Sequence, residues 1–111
     1  MSYNIVPTQN FIKNLKRLSK KHRSIKEEVN ALGKLLKSNP TMREEIIEHC
    51  FKICISITSK NKGKIGGARI ITHVYVSNET VFLLSIYDKG EQQDISTNEI
   101  KTLLRAIELD D

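Results

Sequence analysis

The chain has 111 residues, 39% of them apolar, a mean hydropathy of −0.35 and a net charge of +5. That length suits one domain, residues 1–111, built on a single core. No apolar run approaches the roughly 20 residues that span a bilayer, and Met1–Asn4 has neither the basic nor the apolar region of an export signal, so a cytoplasmic protein with no membrane partner is expected. The charge is uneven. Residues 1–40 carry nine Lys/Arg against two Glu, residues 41–89 seven against five acids, and residues 90–111 two against six. A basic front with an acidic tail favours a polyanionic partner on one surface, although a solvated lysine-rich helix has the same composition.

Taken in chain order, Tyr3–Val6 predicts a short strand stopped by Pro7. Thr8 can then cap a helix in which Phe11, Leu15 and Leu18 form the apolar stripe and Lys13, Lys16, Arg17, Lys20 and Lys21 the opposite, basic side. Ser24-Ile25-Lys26-Glu27 has the form of a capping box and opens a second helix with Ile25, Val29, Leu32 and Leu36 inward, ended by Asn39-Pro40. The short basic turn between the two helices implies an antiparallel helical hairpin. Thr41-Met42-Arg43-Glu44 predicts one further helical turn.

Phe51, Ile53, Ile55 and Ile57 alternate with Lys52, Cys54, Ser56 and Thr58, the pattern of a strand with one buried face. Cys50 and Cys54 would lie about 13 Å apart on it, beyond the ~7 Å Cα reach of a disulfide. They lack the companions of a metal site, and no metal or cofactor is expected. The loop 59–67 is basic and glycine-rich, with Lys60, Lys62 and Lys64. Its spacing does not match a nucleotide-binding P-loop, and its Gly-x-x-Gly joins strands where the KH motif joins helices. It could touch RNA backbone or simply connect two strands. Two β-branched and aromatic runs follow, the first opened by Gly66-Gly67-Ala68-Arg69-Ile70-Ile71 and the second closed by Leu83-Leu84-Ser85-Ile86-Tyr87-Asp88-Lys89, separated by the polar turn Ser77-Asn78-Glu79. Ser96-Thr97-Asn98-Glu99 repeats the helix-start signal before an amphipathic helix carrying Ile100, Leu103, Leu104 and Ile107.

The order β-α-α-β-β-β-α predicts an α+β fold, a helical hairpin packed on a small, mostly antiparallel twisted sheet. The opposite sheet face, with Lys52, Cys54, Arg69 and Lys89, is expected to remain a shallow basic surface. Arg69 and Lys89 should share that face. A two-residue turn pairing Ser77 with Thr80 would turn Lys89 away, so an odd-length connection or a β-bulge near Ser77–Thr80 is expected.

The succession Gly66-Gly67-Ala68-Arg69, strand, hairpin, strand, Tyr87-Asp88-Lys89, then Asp94-Ile95-Ser96 and a final helix resembles the RelE/ParE superfamily of bacterial type II toxins. Within it, the chain resembles the RelE/HigB-type messenger-RNA interferases. The resemblance covers most of the chain and implies a metal-independent endoribonuclease that cleaves mRNA on the ribosome and is neutralised by a small acidic antitoxin. It implies catalytic roles for Arg69 and Lys89, which match basic positions of the family's cleavage site. Several RelE-type proteins carry a further basic residue where this chain has Cys54, and others a catalytic tyrosine near the position of Ile95; with neither here, His73 and Lys52 are alternative candidates for the base.

Cleavage by the RNA 2′-hydroxyl needs a proton acceptor, a cation for the phosphorane and a donor for the leaving oxygen. Arg69 suits the phosphate as a planar bidentate donor. Lys89 suits either base or electrostatic stabiliser. His73, four residues beyond Arg69 on the same face, is a third catalytic candidate, or else a hydrogen-bonded structural residue. Tyr87 could stack on a base or pack in the core, and Lys52, Lys60, Lys62 and Lys64 are candidate RNA contacts. Two alternatives use the same fold: a ParE-like gyrase-binding toxin without RNA cleavage, and an inactive nucleic-acid-binding relative.

Overall fold

The computed structural model of the protein describes residues 2–47, 49–57, 67–92 and 94–110. In chain order the elements are β1 (Asn4–Pro7), α1 (Gln9–Lys21), α2 (Ile25–Ser38), β2 (Glu44–Ile47), β3 (Cys50–Ser56), β4 (Gly67–Tyr75), a 3-10 turn (Val76–Asn78), β5 (Thr80–Asp88) and α3 (Thr97–Asp110). The strands form one sheet in the order β1-β5-β4-β3-β2, with β1 parallel to β5 and every other pair antiparallel. This is the expected α+β fold with one strand more. The helical turn anticipated at Thr41–Glu44 does not form. Arg43 is left-handed at φ 77°, which breaks any helix there, and Glu44–Ile47 instead adds an edge strand to β3.

The two sheet faces carry separate cores. Phe51, Ile53, Ala68, Ile70, Val74, Val81, Leu83 and Ile86 meet Phe11 and Leu18 of α1 and Ile25, Val29, Leu32 and Leu36 of α2. On the other face Cys50, Ile71, Leu84 and Tyr87 meet Ile100 of α3, with Leu103, Leu104 and Ile107 packed around them. The open basic face expected from sequence is therefore partly roofed by α3. The physical reason lies in Ile71 and Leu84. Both are fully buried, and apolar side chains on the outer face of a sheet need a second layer.

Caps follow the sequence in two of three cases. Thr8 Oγ1 accepts from the Phe11 amide (3.2 Å). Ser96 Oγ accepts from the Glu99 amide (3.1 Å) while Glu99 Oε1 accepts from the Ser96 amide (3.4 Å), a reciprocal capping box. At Ser24 the helix begins where expected, but its hydroxyl donates to Glu28 Oε1 (3.3 Å) and caps no amide. No helix among the described residues is long and apolar enough to cross a membrane.

The register of β4 against β5 decides the site. Tyr75 pairs with Thr80 and Thr72 with Leu83, but Ile71 pairs with Ser85 and Arg69 with Tyr87. One extra residue, Leu84, is thus inserted mid-strand. Without it Arg69 would oppose Ile86, and Tyr87 and Lys89 would face the helical hairpin. The expected bulge exists, but in the strand and not at the turn, where four residues connect the two strands. Its backbone is held by α1. Thr8 Oγ1 donates to the Leu83 carbonyl (2.9 Å), Asn10 Nδ2 to the Leu84 carbonyl (2.9 Å), and Ser85 Oγ to Asn14 Oδ1 (3.2 Å). Polar residues on the first turns of α1 satisfy groups that a bulge removes from the ladder.

Candidate functional site

At the start of β4, Arg69 lies directly between Cys54 of β3 and Tyr87 of β5, on the face that bears α3. Its guanidinium is held charged, its pKa pushed above the ordinary value chiefly by hydrogen bonding to Tyr87 and then to Cys54, against the opposing effect of burial. Tyr87 is buried, and that burial raises its phenol pKa, so it stays a proton donor at neutral pH. The chain resumes beyond β5 with the Lys89 amide bonded to the Gly67 carbonyl (3.0 Å). The Lys89 side chain crosses Gly67, its Cδ lying 3.6 Å from where a Cβ would stand. Gly67 shares the outward face with Arg69, because residues two apart on a strand point the same way. Arg69 and Lys89 thus share a face.

Lys52 joins them from β3. Its side chain is 18% exposed, and its Nζ lies 3.8 Å from Glu44 Oε1 and 3.9 Å from Asp94 Oδ2. Along the sequence the cations of this face have no acidic cluster to neutralise them, yet the fold supplies a counter-charge in Asp94. Asp94 Oδ1 lies 3.8 Å from Arg69 Nη1 and accepts from the Tyr87 hydroxyl at 3.4 Å. The Ile95 amide donates to the same oxygen at 2.9 Å and is the first cause of a carboxyl pKa below the ordinary value, helped by Lys52 and Arg69. The signal that could have found it is simple: an acid shortly after Tyr-Asp-Lys, just before an amphipathic helix that must dock its apolar stripe on the sheet, is brought back toward the strand ends.

His73 is on the same face but about 13 Å along the strand from Arg69, with fully buried Ile71 between them. Its ring stacks on Phe82 at 6.5 Å between centroids and its Nδ1 is 3.6 Å from Cys50 Sγ. Burial, then His49, lowers its pKa. Cys50 itself is pushed up to about 11 by burial and by Glu45, an unreactive thiol. Both cysteines are free. Lys60, Lys62 and Lys64 lie outside the described residues. The fold therefore joins Lys52, Arg69, Tyr87 and Lys89, and sets His73 apart.

The charge asymmetry is partly spent within the chain. Glu91, from the acidic tail, pairs with Arg17 (3.2 Å) and with Lys21 on the basic side of α1, which lowers its pKa, Lys21 first. Beside it, buried Asp88 meets His22 Nε2 at 3.0 Å and caps its own turn by accepting from the Gly90 amide (2.8 Å). This turn holds Lys89 at the sheet end.

No family model matches the chain. Solved structures do. The isolated Escherichia coli RelE toxin is similar at a TM-score of 0.59 and 15% identity, over 95% of this chain and 99% of that one. A doubly substituted RelE in the free state gives 0.59 and 17%, over 84% and 90%. The intact E. coli RelBE toxin–antitoxin complex gives 0.58 and 16%, over 77% and 94%. At such identities the likeness is one of architecture, and it agrees with the sheet order and helix placement described above: this chain has the fold of the RelE toxin.

Proposed function

We propose that this protein is the toxin of a type II toxin–antitoxin pair and a metal-independent endoribonuclease that cleaves mRNA on the ribosome. The observation that carries the reading is the bulged register of β4 and β5, which aligns Arg69 with Tyr87 and brings Lys89 and Lys52 to the same end of one face. A single-stranded phosphodiester needs such a converging set of cations with one neutral donor. In the reaction the 2′-oxygen attacks the adjacent phosphorus as its proton leaves, and the bond to the 5′-oxygen breaks as that oxygen gains a proton. The products are a 2′,3′-cyclic phosphate and a 5′-hydroxyl. Arg69 and Lys52 take the added charge of the phosphorane. Tyr87 gives the leaving oxygen its proton, and Lys89 receives that of the 2′-hydroxyl or stabilises the same charge. His73 supports the sheet and stays out of the chemistry. The partner is an acidic antitoxin, for which the surface of α1 presents Lys13, Lys16 and Lys20.

Induced expression of wild type, Arg69→Ala and Lys89→Ala, with primer-extension mapping of RNA ends, tests this. Loss of growth inhibition and of new RNA ends in both variants is expected, with purified activity down on the order of 10²-fold and an unchanged circular dichroism spectrum. Full toxicity in both, accompanied by reduced DNA supercoiling, would favour a gyrase-binding toxin instead.

A further inference from the structure

The carboxylate of Asp94 sits where three groups of the proposed RNA site converge. Arg69 Nη1 and Lys52 Nζ approach it at 3.8 and 3.9 Å from two different strands, and the Tyr87 hydroxyl donates to it at 3.4 Å. An anion placed to meet a guanidinium, an ammonium and a phenol at once is what a bound phosphodiester would be at this spot. Yet these contacts are loose. Both ion pairs exceed hydrogen-bond length, and the Asp94 side chain is 62% exposed. Its one short bond is local, from the neighbouring Ile95 amide at 2.9 Å. The carboxylate can thus swing away without disturbing a strand or α3, whose own start is secured by the Ser96–Glu99 box.

We propose that Asp94 is a built-in competitor for the phosphate seat formed by Arg69, Lys52 and Tyr87, and that RNA binds by displacing it. This rests on the reading of that face as an RNA site and adds the residue that sets its affinity. A tethered anion competes at a high effective concentration, so free protein holds RNA weakly until several phosphates engage together. Displacement also releases the Tyr87 hydroxyl from a carboxylate, leaving it to donate to the substrate. In this role Asp94 is no catalytic group, and its low pKa keeps it charged, a good plug and a poor base.

The test is binding of a fluorescent single-stranded 2′-O-methyl RNA, which cannot be cleaved, to wild type, Asp94→Asn, Asp94→Glu, Arg69→Ala and Glu27→Gln. Asn keeps the acceptor for the Ile95 amide while removing the charge. Asp94→Asn should bind about threefold to tenfold tighter, the range expected for relieving two loose ion pairs to a solvent-exposed carboxylate, and the gain should shrink as salt rises. Asp94→Glu should stay near wild type, and Glu27→Gln, which removes an equal charge from an exposed position on α2, should gain little. Equal gain in Glu27→Gln would mean that net charge alone is responsible, and the proposal would fail. Unchanged or weaker binding by Asp94→Asn, with Arg69→Ala still impaired, overturns the competitor role and leaves the RNA site standing. Binding indifferent to both Arg69→Ala and Asp94→Asn would overturn the RNA site and the competitor with it.

Discussion

Gly67 offers the sharpest stability prediction, because the cost of filling it is set by backbone and not by a movable side chain. It opens β4 opposite Ser56, and a Cβ there would stand 2.8 Å from the Ile55 carbonyl oxygen. That is closer than carbon and oxygen tolerate, and the oxygen belongs to the neighbouring strand. No glycine among the described residues has a positive φ, so alanine at Gly67 meets no conformational penalty, only the clash. Relief requires β3 and β4 to part by several tenths of an ångström beside Arg69. Forced overpacking of this kind costs about 1–3 kcal/mol. For a domain of this length, with an unfolding entropy of about 2.1 cal/mol/K per residue, each kcal/mol lowers Tm by about 4 °C. Gly67→Ala should therefore melt roughly 4–12 °C lower by calorimetry. Gly33 supplies the opposite case within the same protein. It sits in the middle of α2, and a methyl group added there would have nothing within 4 Å, so Gly33→Ala should gain about 0.5–1 kcal/mol from helix propensity. A Gly67→Ala protein as stable as wild type would refute the strand spacing on which the Arg69 site depends.

Three further outcomes are expected. Ile100→Ala removes the fully buried anchor of α3 and should cost about 2–5 kcal/mol. Hydrogen exchange should then quicken in α3 before β4 and β5, and uniform loss of protection would show that α3 is not a separate layer. Lowering the pH should loosen the turn carrying Glu91 and Asp94. Both carboxyls have folded pKa values below their ordinary 4.5 and 3.8, so their contribution is complete above about pH 5 and is lost as pH falls through the lowered folded values. Arg17 and Lys21 side-chain resonances should report this below the ordinary glutamate range, and a transition centred at the ordinary value of 4.5 would contradict the Glu91 pairs. Association with an acidic antitoxin should slow as salt rises, over a screening length of about 8 Å at physiological ionic strength. A rate independent of salt would assign the basic side of α1 to internal pairing alone.

Periodicity and punctuation determined much of this protein by themselves. The 3.6-residue stripes through Phe11–Leu18 and Ile25–Leu36, the two-residue alternation from Phe51 to Ile57 and the start signals at Thr8 and Ser96 are local. They state which face of each element is apolar before any partner is known. From them the α+β layering follows, as does the pairing of an arginine and a lysine at one sheet end. What remained beyond them was non-local. The bulge at Leu84 is held by Thr8 and Asn10, some seventy residues earlier, which donate to the Leu83 and Leu84 carbonyls, and by Asn14, which accepts from the Ser85 hydroxyl. The strand at Glu44–Ile47 replaces a helical turn because the free edge of β3 supplies a ladder that a four-residue helix could not match. α3 crosses to the outer face because Ile71 and Leu84 need cover there. Asp94 reaches Arg69, Lys52 and Tyr87 because the chain leaving β5 is latched to α1, Asp88 to His22 at the end of that helix and Glu91 to Arg17 and Lys21 on it. Residue type can be read along the chain, but register, facing and counter-charge are relations between segments, and only packing settles them.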